Sequence, residues 1–326
     1  MRVTRLCCAF LVVSTIAFAQ AADEVQQLRR AAEEGNPRAQ FDLGVRYAAG
    51  KGVAHDDREA ARWIEKAAAQ GLAEAQFNLG LMYADGNGVP QDSAQAIVWL
   101  RKAADQGDAR AQSNLGLMYA NGSGVASDLA QAAAWYRKSA DQGEVTAQFS
   151  LALMYARGSG VVHNDVQAMH WFRQAAEHGH LDAQFNVALM LAAGIGGVKD
   201  EAQAIEWYRK AAEGGLAAAQ TNLGARYATG SGVPQDQRQA VAWFRQAANQ
   251  GDASAQFNLA VMYANGTGVD GDVVEAYMWL VLSTATATPE RERYAAARAT
   301  LAGAMTPAQI AEAEKRAQQW AERQPR

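Results

Sequence analysis

The chain has 326 residues, 49% of them hydrophobic and only 6 of them Pro, with 30 Lys and Arg against 34 Asp and Glu. Many Ala beside few Pro favour helices. A mildly acidic balance of mixed sign excludes the basic footprint that nucleic acid requires.

The first element is not part of the fold. Arg2 and Arg5 form a positive start, Leu6 to Phe18 carry no charge, and Ala17-Phe18-Ala19 or Ala19-Gln20-Ala21 supplies a small-x-small cleavage site. Residues 1–21 therefore read as a secretory signal peptide, since so short a run cannot cross a hydrocarbon core that needs roughly 20 apolar residues. No later stretch is apolar enough to span. Export to the periplasm or beyond is the expected location. Cys7 and Cys8 fall inside the leader, so the mature chain has no disulfide, and no Cys follows the apolar run to carry a lipid. Without Arg2 and Arg5 the basic residues number 28 against 34 acidic ones, a net charge of −6.

From residue 36 the chain repeats itself. Ala-Gln pairs end at Gln40, Gln76, Gln112, Gln148, Gln184, Gln220 and Gln256, and a Trp column runs from Trp63 to Trp279 at the same step of 36. A Gly column from Gly35 to Gly251 keeps that step too. Each unit reads as two helices, here termed A and B. In the first, Gln76, Leu79, Gly80 and Tyr83 share a helical face, and the Gly80 column holds only Gly or Ala, as a close neighbouring helix requires. Gly86-x-Gly88 closes helix A with the left-handed conformation that Gly adopts cheaply.

Helix B is predicted to start at Asp56, Asp92, Asp128, Asn164, Asp200, Asp236 and Asp272, each followed three residues on by Glu or Gln. That pattern predicts a capping box, with both side chains satisfying orphan backbone donors. Ala96, Trp99, Leu100 and Ala103 form the predicted buried stripe, with Arg101 and Lys102 facing out. Residues 22–35, around VQQLRRAAEEG, align with a lone helix B that has Gln27 in the Trp position, so they read as an N-terminal cap. At the far end Val281 and Leu282 replace the charged pair and need a lid. Two Thr-Pro starts predict helices from near Pro289 and Pro307 within a C-terminal cap, residues 288–326.

The stretch AEAQFNLGLMYADGNGVPQDSAQAIVWLRKAADQG, Ala73 to Gly107, resembles the Sel-like repeat, a 36-residue relative of the tetratricopeptide repeat. The resemblance spans residues 36–287 and implies an all-α, right-handed α-solenoid of seven repeats that acts as an adaptor in protein complexes. It also implies export, which is frequent among bacterial members. The fifth copy departs most, with Val187, Leu191 and GIGGVKD in place of Leu, Tyr and the usual turn.

Catalytic patterns are not found. Gly44 to Gly52 has the wrong spacing and no Ser or Thr for a phosphate loop, and the zinc-protease, β-lactamase and hydrolase-elbow motifs do not occur. Cysteine-rich relatives of the family act on β-lactams with a disulfide in each repeat, an activity that a chain without mature Cys does not inherit. His163, His170, His178 and His180 cluster in sequence, but no acidic or Cys ligand joins them at zinc-like spacing, and no metal or cofactor is expected.

One column is polar in every copy: Asp42, Asn78, Asn114, Ser150, Asn186, Asn222 and Asn258. It lies opposite the Leu79, Gly80 and Tyr83 stripe. In tetratricopeptide arrays helix A lines the concave groove, and an Asn at this place bonds a bound peptide's backbone, so the resemblance implies a partner site at Asp42, Asn78, Asn114, Asn186, Asn222 and Asn258. Flanking residues would select partners: Arg38, Glu74, Arg110, Thr146 and Asp182 before the column, and Asp85, Asn121, Arg157, Thr229 and Asn265 after it. The competing reading is that the column bonds across the helix pair or meets water. The expected function is thus a non-enzymatic, monomeric envelope scaffold for a protein or peptide, of which an inhibitor of a sensor kinase or protease would be one form. The other class, an enzyme or small-ligand binder acting on cell-wall material such as peptidoglycan, would need a confined pocket of convergent titratable groups.

Overall fold

The computed structural model describes residues 23–323, so the expected signal peptide lies outside the described residues. The described residues form two compact units, one up to His163 and one from Asn164, the division falling inside the fourth repeat. In the first unit α1 covers 23–33 and is followed by A helices α2 (Pro37–Ala49), α4 (Ala73–Asp85), α6 (Ala109–Asn121) and α8 (Val145–Arg157). They alternate with B helices α3 (Asp57–Ala69), α5 (Ser93–Asp105) and α7 (Leu129–Ala140). The second unit has B helices α9 (Asp165–Glu177), α11 (Glu201–Glu213), α13 (Gln237–Asn249) and α15 (Val273–Ala285). Its A helices are α10 (Leu181–Ala193), α12 (Ala217–Thr229) and α14 (Ala253–Asn265), and α16 (Arg291–Ala302) and α17 (Pro307–Arg323) close the chain.

Within a repeat, A and B pack closely because the small column leaves room. A Cβ on Gly116 would come within 2.7 Å of the Tyr136 ring, and one on Gly80 within 2.7 Å of Leu100. Between repeats the second Gly of each turn matters more. Gly124, at φ +73°, sits against the Ser93 backbone carbonyl at the start of α5, where any Cβ would collide.

The B helices start as expected at the Asp or Asn column, whose carboxylate or amide oxygen accepts from one or two N–H groups of the first turn. The box, however, closes differently. The backbone N–H of Asp56 donates to the Tyr47 carbonyl at 3.1 Å, and those of Asp92, Asp128, Asp236 and Asp272 donate to Tyr83, Tyr119, Tyr227 and Tyr263. The end of helix A thus takes the donor that the Glu or Gln was expected to satisfy. A reciprocal box forms at α17 instead, where the Thr306 N–H donates to Gln309 Oε1 and the Gln309 N–H to Thr306 Oγ1.

The Gln column is buried in all seven copies, and its reason is a ladder. Gln76 Nε2 donates to the Ala68 carbonyl of the preceding repeat at 3.1 Å, while its Oε1 accepts from Gln106 Nε2 at 2.7 Å. Gln106 also reaches the Gly71 carbonyl. The same rungs form at Gln40, Gln112 and Gln220, so the buried amides and the last carbonyls of the preceding B helix, or of α1 for Gln40, satisfy one another. A second tie joins a B-helix Arg to the next Tyr hydroxyl: Arg29 to Tyr47, Arg101 to Tyr119, Arg137 to Tyr155 and Arg245 to Tyr263.

The B-helix surface corrects one expectation. Trp99 is half-buried rather than core, and the Lys102 ammonium lies 3.7 Å from its ring centre, with Lys66, Lys138 and Lys210 placed likewise over Trp63, Trp135 and Trp207. Arg101 and Lys102 are exposed yet engaged.

At the first end α1 stands where a B helix would, with Val25 and Ala32 buried, Gln27 exposed and Ala32 accepting from Gln40. At the other end α16 and α17 pack on α15: Trp320 meets Trp279 edge-on, Arg316 pairs with Glu275 at 2.8 Å, and Leu282 is buried. Tyr294 of α16 stacks on Phe257. Helix α16 starts two residues later than Pro289, because Thr288 to Glu290 form a turn and Thr288 does not cap.

Candidate partner-binding face

The Leu79 column of the A helices is fully buried, while the polar column on the same helices is half-buried at all seven positions. Its amides are turned back onto their own helix. Asn78 Nδ2 donates to the Glu74 carbonyl at 2.7 Å, Asn114 to Arg110, Asn186 to Asp182 and Asn222 to Ala218. One N–H and the carbonyl oxygen of each amide remain for another group. Asp42 pairs instead with Arg38 at 3.1 Å. The bonds run within a helix, and none of these four crosses to helix B.

A second column, which the sequence reading missed, accompanies the first. Val45, Leu117, Leu189 and Val261 stand three residues after Asp42, Asn114, Asn186 and Asn258, and are 41%, 49%, 39% and 40% exposed. Their signal was in the sequence, a Leu or Val recurring one turn beyond the polar residue in every copy but the sixth, where Ala225 follows Asn222, but hydrophobicity alone does not separate such a column from core. The flanking positions proposed as selectors are exposed or half-buried, and Arg38 forms an ion pair with Glu74 of the next repeat.

Two clefts open on this face where a large residue of one column becomes small. Between α6 and α8 a cleft of about 320 Å³ is lined by Arg110, Ser113, Asn114, Tyr136, Thr146 and Ser150. Between α12 and α14 a cleft of about 310 Å³ has Ala225, Phe244, Asn258, Val261 and Met262, with Ala225 in the place of the exposed Leu or Val. Burial pushes the Tyr136 hydroxyl pKa up against the opposing hydrogen bond to Ser150. Burial also works to raise the Asp108 carboxyl at the start of α6, but Arg110 and two backbone N–H groups outweigh it and hold it below the ordinary value.

The His cluster is dispersed in role. His180 caps α10, His178 Nδ1 lies 2.8 Å from the Gln174 carbonyl, and His170 packs edge-on to Trp171. Among the described residues no group of three His, Cys, Asp or Glu could hold a metal ion. Nor is any described helix long and apolar enough to cross a membrane.

The Sel1 repeat family model matches seven consecutive segments, residues 37–72, 73–108, 109–144, 145–180, 181–216, 217–252 and 253–283. The chain belongs to the Sel1 repeat family. It is similar to a Sel1 repeat protein from Oxalobacter formigenes, with 41% identity over 84% of this chain and 79% of that one and a TM-score of 0.68. It is also similar to c5321, a protective antigen of uropathogenic Escherichia coli with the same repeat fold, at 32% identity, 92% and 79% coverage and a TM-score of 0.53. No curated protein matches. The fold class is the all-α, right-handed solenoid expected from the repeat, and Sel1 repeats generally serve protein–protein interaction without catalysis.

Proposed function

We propose that this chain is an exported, non-enzymatic adaptor of the cell envelope that binds an extended segment of a protein partner along its A-helix face. The observation that carries the reading is the pairing of two columns, half-buried amides beside exposed aliphatic side chains, at a fixed step. Amide groups can bond a partner's backbone with little regard to its sequence, while the aliphatic column shelters its apolar side chains. Arg38, Glu74, Arg110, Asp182 and Arg157 then provide charge that discriminates among partners. Residues 1–21 direct export, and the mature chain acts as a monomer.

Cross-linking residues 22–326 in an envelope extract tests this reading, beside a variant with Asn114, Asn186 and Asn222 changed to Ala and helicity checked by circular dichroism. A specific partner captured by the parent and lost from the folded variant is the expected result; equal capture by both removes the A face from consideration. Fractionation with N-terminal sequencing checks export, expected as a periplasmic or secreted chain starting at residue 20 or 22.

A further inference from the structure

Five A helices carry Phe at one place in the register, namely Phe41, Phe77, Phe149, Phe185 and Phe257, and two carry Ser113 and Thr221 there. At Ser113 the missing ring leaves the cleft between α6 and α8, whose floor is Ser113 and Tyr136, 8% and 5% exposed. The walls are the Phe77 ring with the Arg110 guanidinium 4.4 Å from its centre on one side, and Thr146 and Ser150 on the other. We infer that this cleft receives the side chain of a tyrosine from the bound partner, which restores the ring that the other repeats supply themselves. The inference rests on the A-face reading above and names the residue that face selects.

Three features favour this occupant. The place is ring-sized by the chain's own register, because Phe185 and Tyr208 fit together in the fifth repeat at 5.9 Å between ring centres, the counterparts of Ser113 and Tyr136. Arg110 presents a cation to the rim, complementary in charge to the negative face of an incoming ring. The Ser113 hydroxyl lines the cleft beside the Tyr136–Ser150 hydroxyl pair, so a phenol finds a partner where a bare ring would cover the Ser113 hydroxyl. Phenylalanine and leucine are therefore disfavoured guests.

The test uses the full mature chain, isotopically labelled, titrated with N-acetyl-tyrosine amide, N-acetyl-phenylalanine amide and N-acetyl-leucine amide at millimolar concentration while amide resonances are followed. The tyrosine amide should shift Ser113, Asn114 and Ser150 and bind several-fold more tightly than the other two. Ser113→Phe, which copies the fifth repeat and should fold, is expected to weaken it about tenfold or more, a difference of about 1.4 kcal/mol. Arg110→Ala, at an exposed position, should weaken it a few-fold and serves if Ser113→Phe fails to fold. Absence of shifts, equal binding of the three amides, or tyrosine binding that survives both substitutions overturns the inference. The A-face reading is judged separately by partner capture, which Ser113→Phe can retain while the Asn variant loses it.

Discussion

The seam between the second and third repeats and the seam between the fourth and fifth use the same columns to different effect. In the former, Gln112 donates to the Ala104 carbonyl and accepts from Gln142, Arg101 reaches the Tyr119 hydroxyl, and Asp108 caps α6. In the latter, Gln184 donates to Ala176, but Gly214 stands where the second Gln should be and Gln184 Oε1 is buried without a partner. Leu191 likewise replaces Tyr, and Arg173 Nε is buried and unpaired. Stability in a repeat array is a sum of unit and nearest-neighbour interface terms, so one poor seam lowers the cost of parting the array at that place. The fold tolerates it because apolar burial continues through Val187 and Ala188.

The largest effect should come from Gly124→Ala in the regular seam. It combines left-handed backbone with collision against the Ser93 carbonyl, and about 3 kcal/mol of lost stability is expected from denaturant titration. Next, Gln112→Leu should cost about 2 kcal/mol, because it unpairs the buried Ala104 carbonyl and also releases the Gln142 amide, whereas Gln184→Leu removes an already unpaired oxygen and should cost about half as much. Equal losses from the two would show that the missing rung does not weaken the seam.

A repair sharpens the contrast. Leu181 fills the space beside Gly214, where the other repeats have Ala or another smaller residue, so Gly214→Gln alone should clash. Leu181→Ala with Gly214→Gln should rebuild the rung, and a double-mutant cycle is expected to report coupling of about 1 kcal/mol. Leu191→Tyr gives Arg173 the hydroxyl that other seams provide and should add about 0.5 kcal/mol, read as a raised melting temperature. Smallest is the acid dependence of Asp108. Its folded pKa lies below the ordinary 3.8, so its contribution is full above that value and is lost as pH falls through the folded one. Asp108→Asn should therefore flatten the acid limb of stability below about pH 4, and an unchanged limb would show that the carboxylate does not contribute.

The period, the helix pairs, the Asp starts of helix B and the small Gly80 column were legible in the sequence because each depends on neighbours at fixed local spacing. The purpose of the Gln column was not, since its acceptor is an Ala carbonyl in another repeat and its donor lies 30 residues on, and neither is marked by a distinctive side chain at the acceptor. The capping box was half legible. Asp chemistry sets the helix start, but only tertiary placement brings the Tyr47 carbonyl to the Asp56 N–H ahead of Glu59. At the candidate site, the Asn column could be found by its recurrence, while Val45, Leu117, Leu189 and Val261 could not be separated from core by hydrophobicity. Their exposure depends on how far apart successive A helices stand.

The Gln rungs join residues 8, 30 and 35 positions apart, always within one repeat or to its immediate predecessor. Cutting out 36 consecutive residues among the copies that keep both Gln residues therefore brings each severed group opposite a chemically equivalent counterpart from the next copy, whereas a cut that leaves Gly214 facing the rung does not. Unequal crossing-over in the coding sequence can lengthen or shorten the molecule in whole units without redesigning a joint, so the reach of the A-helix face is adjustable by recombination alone.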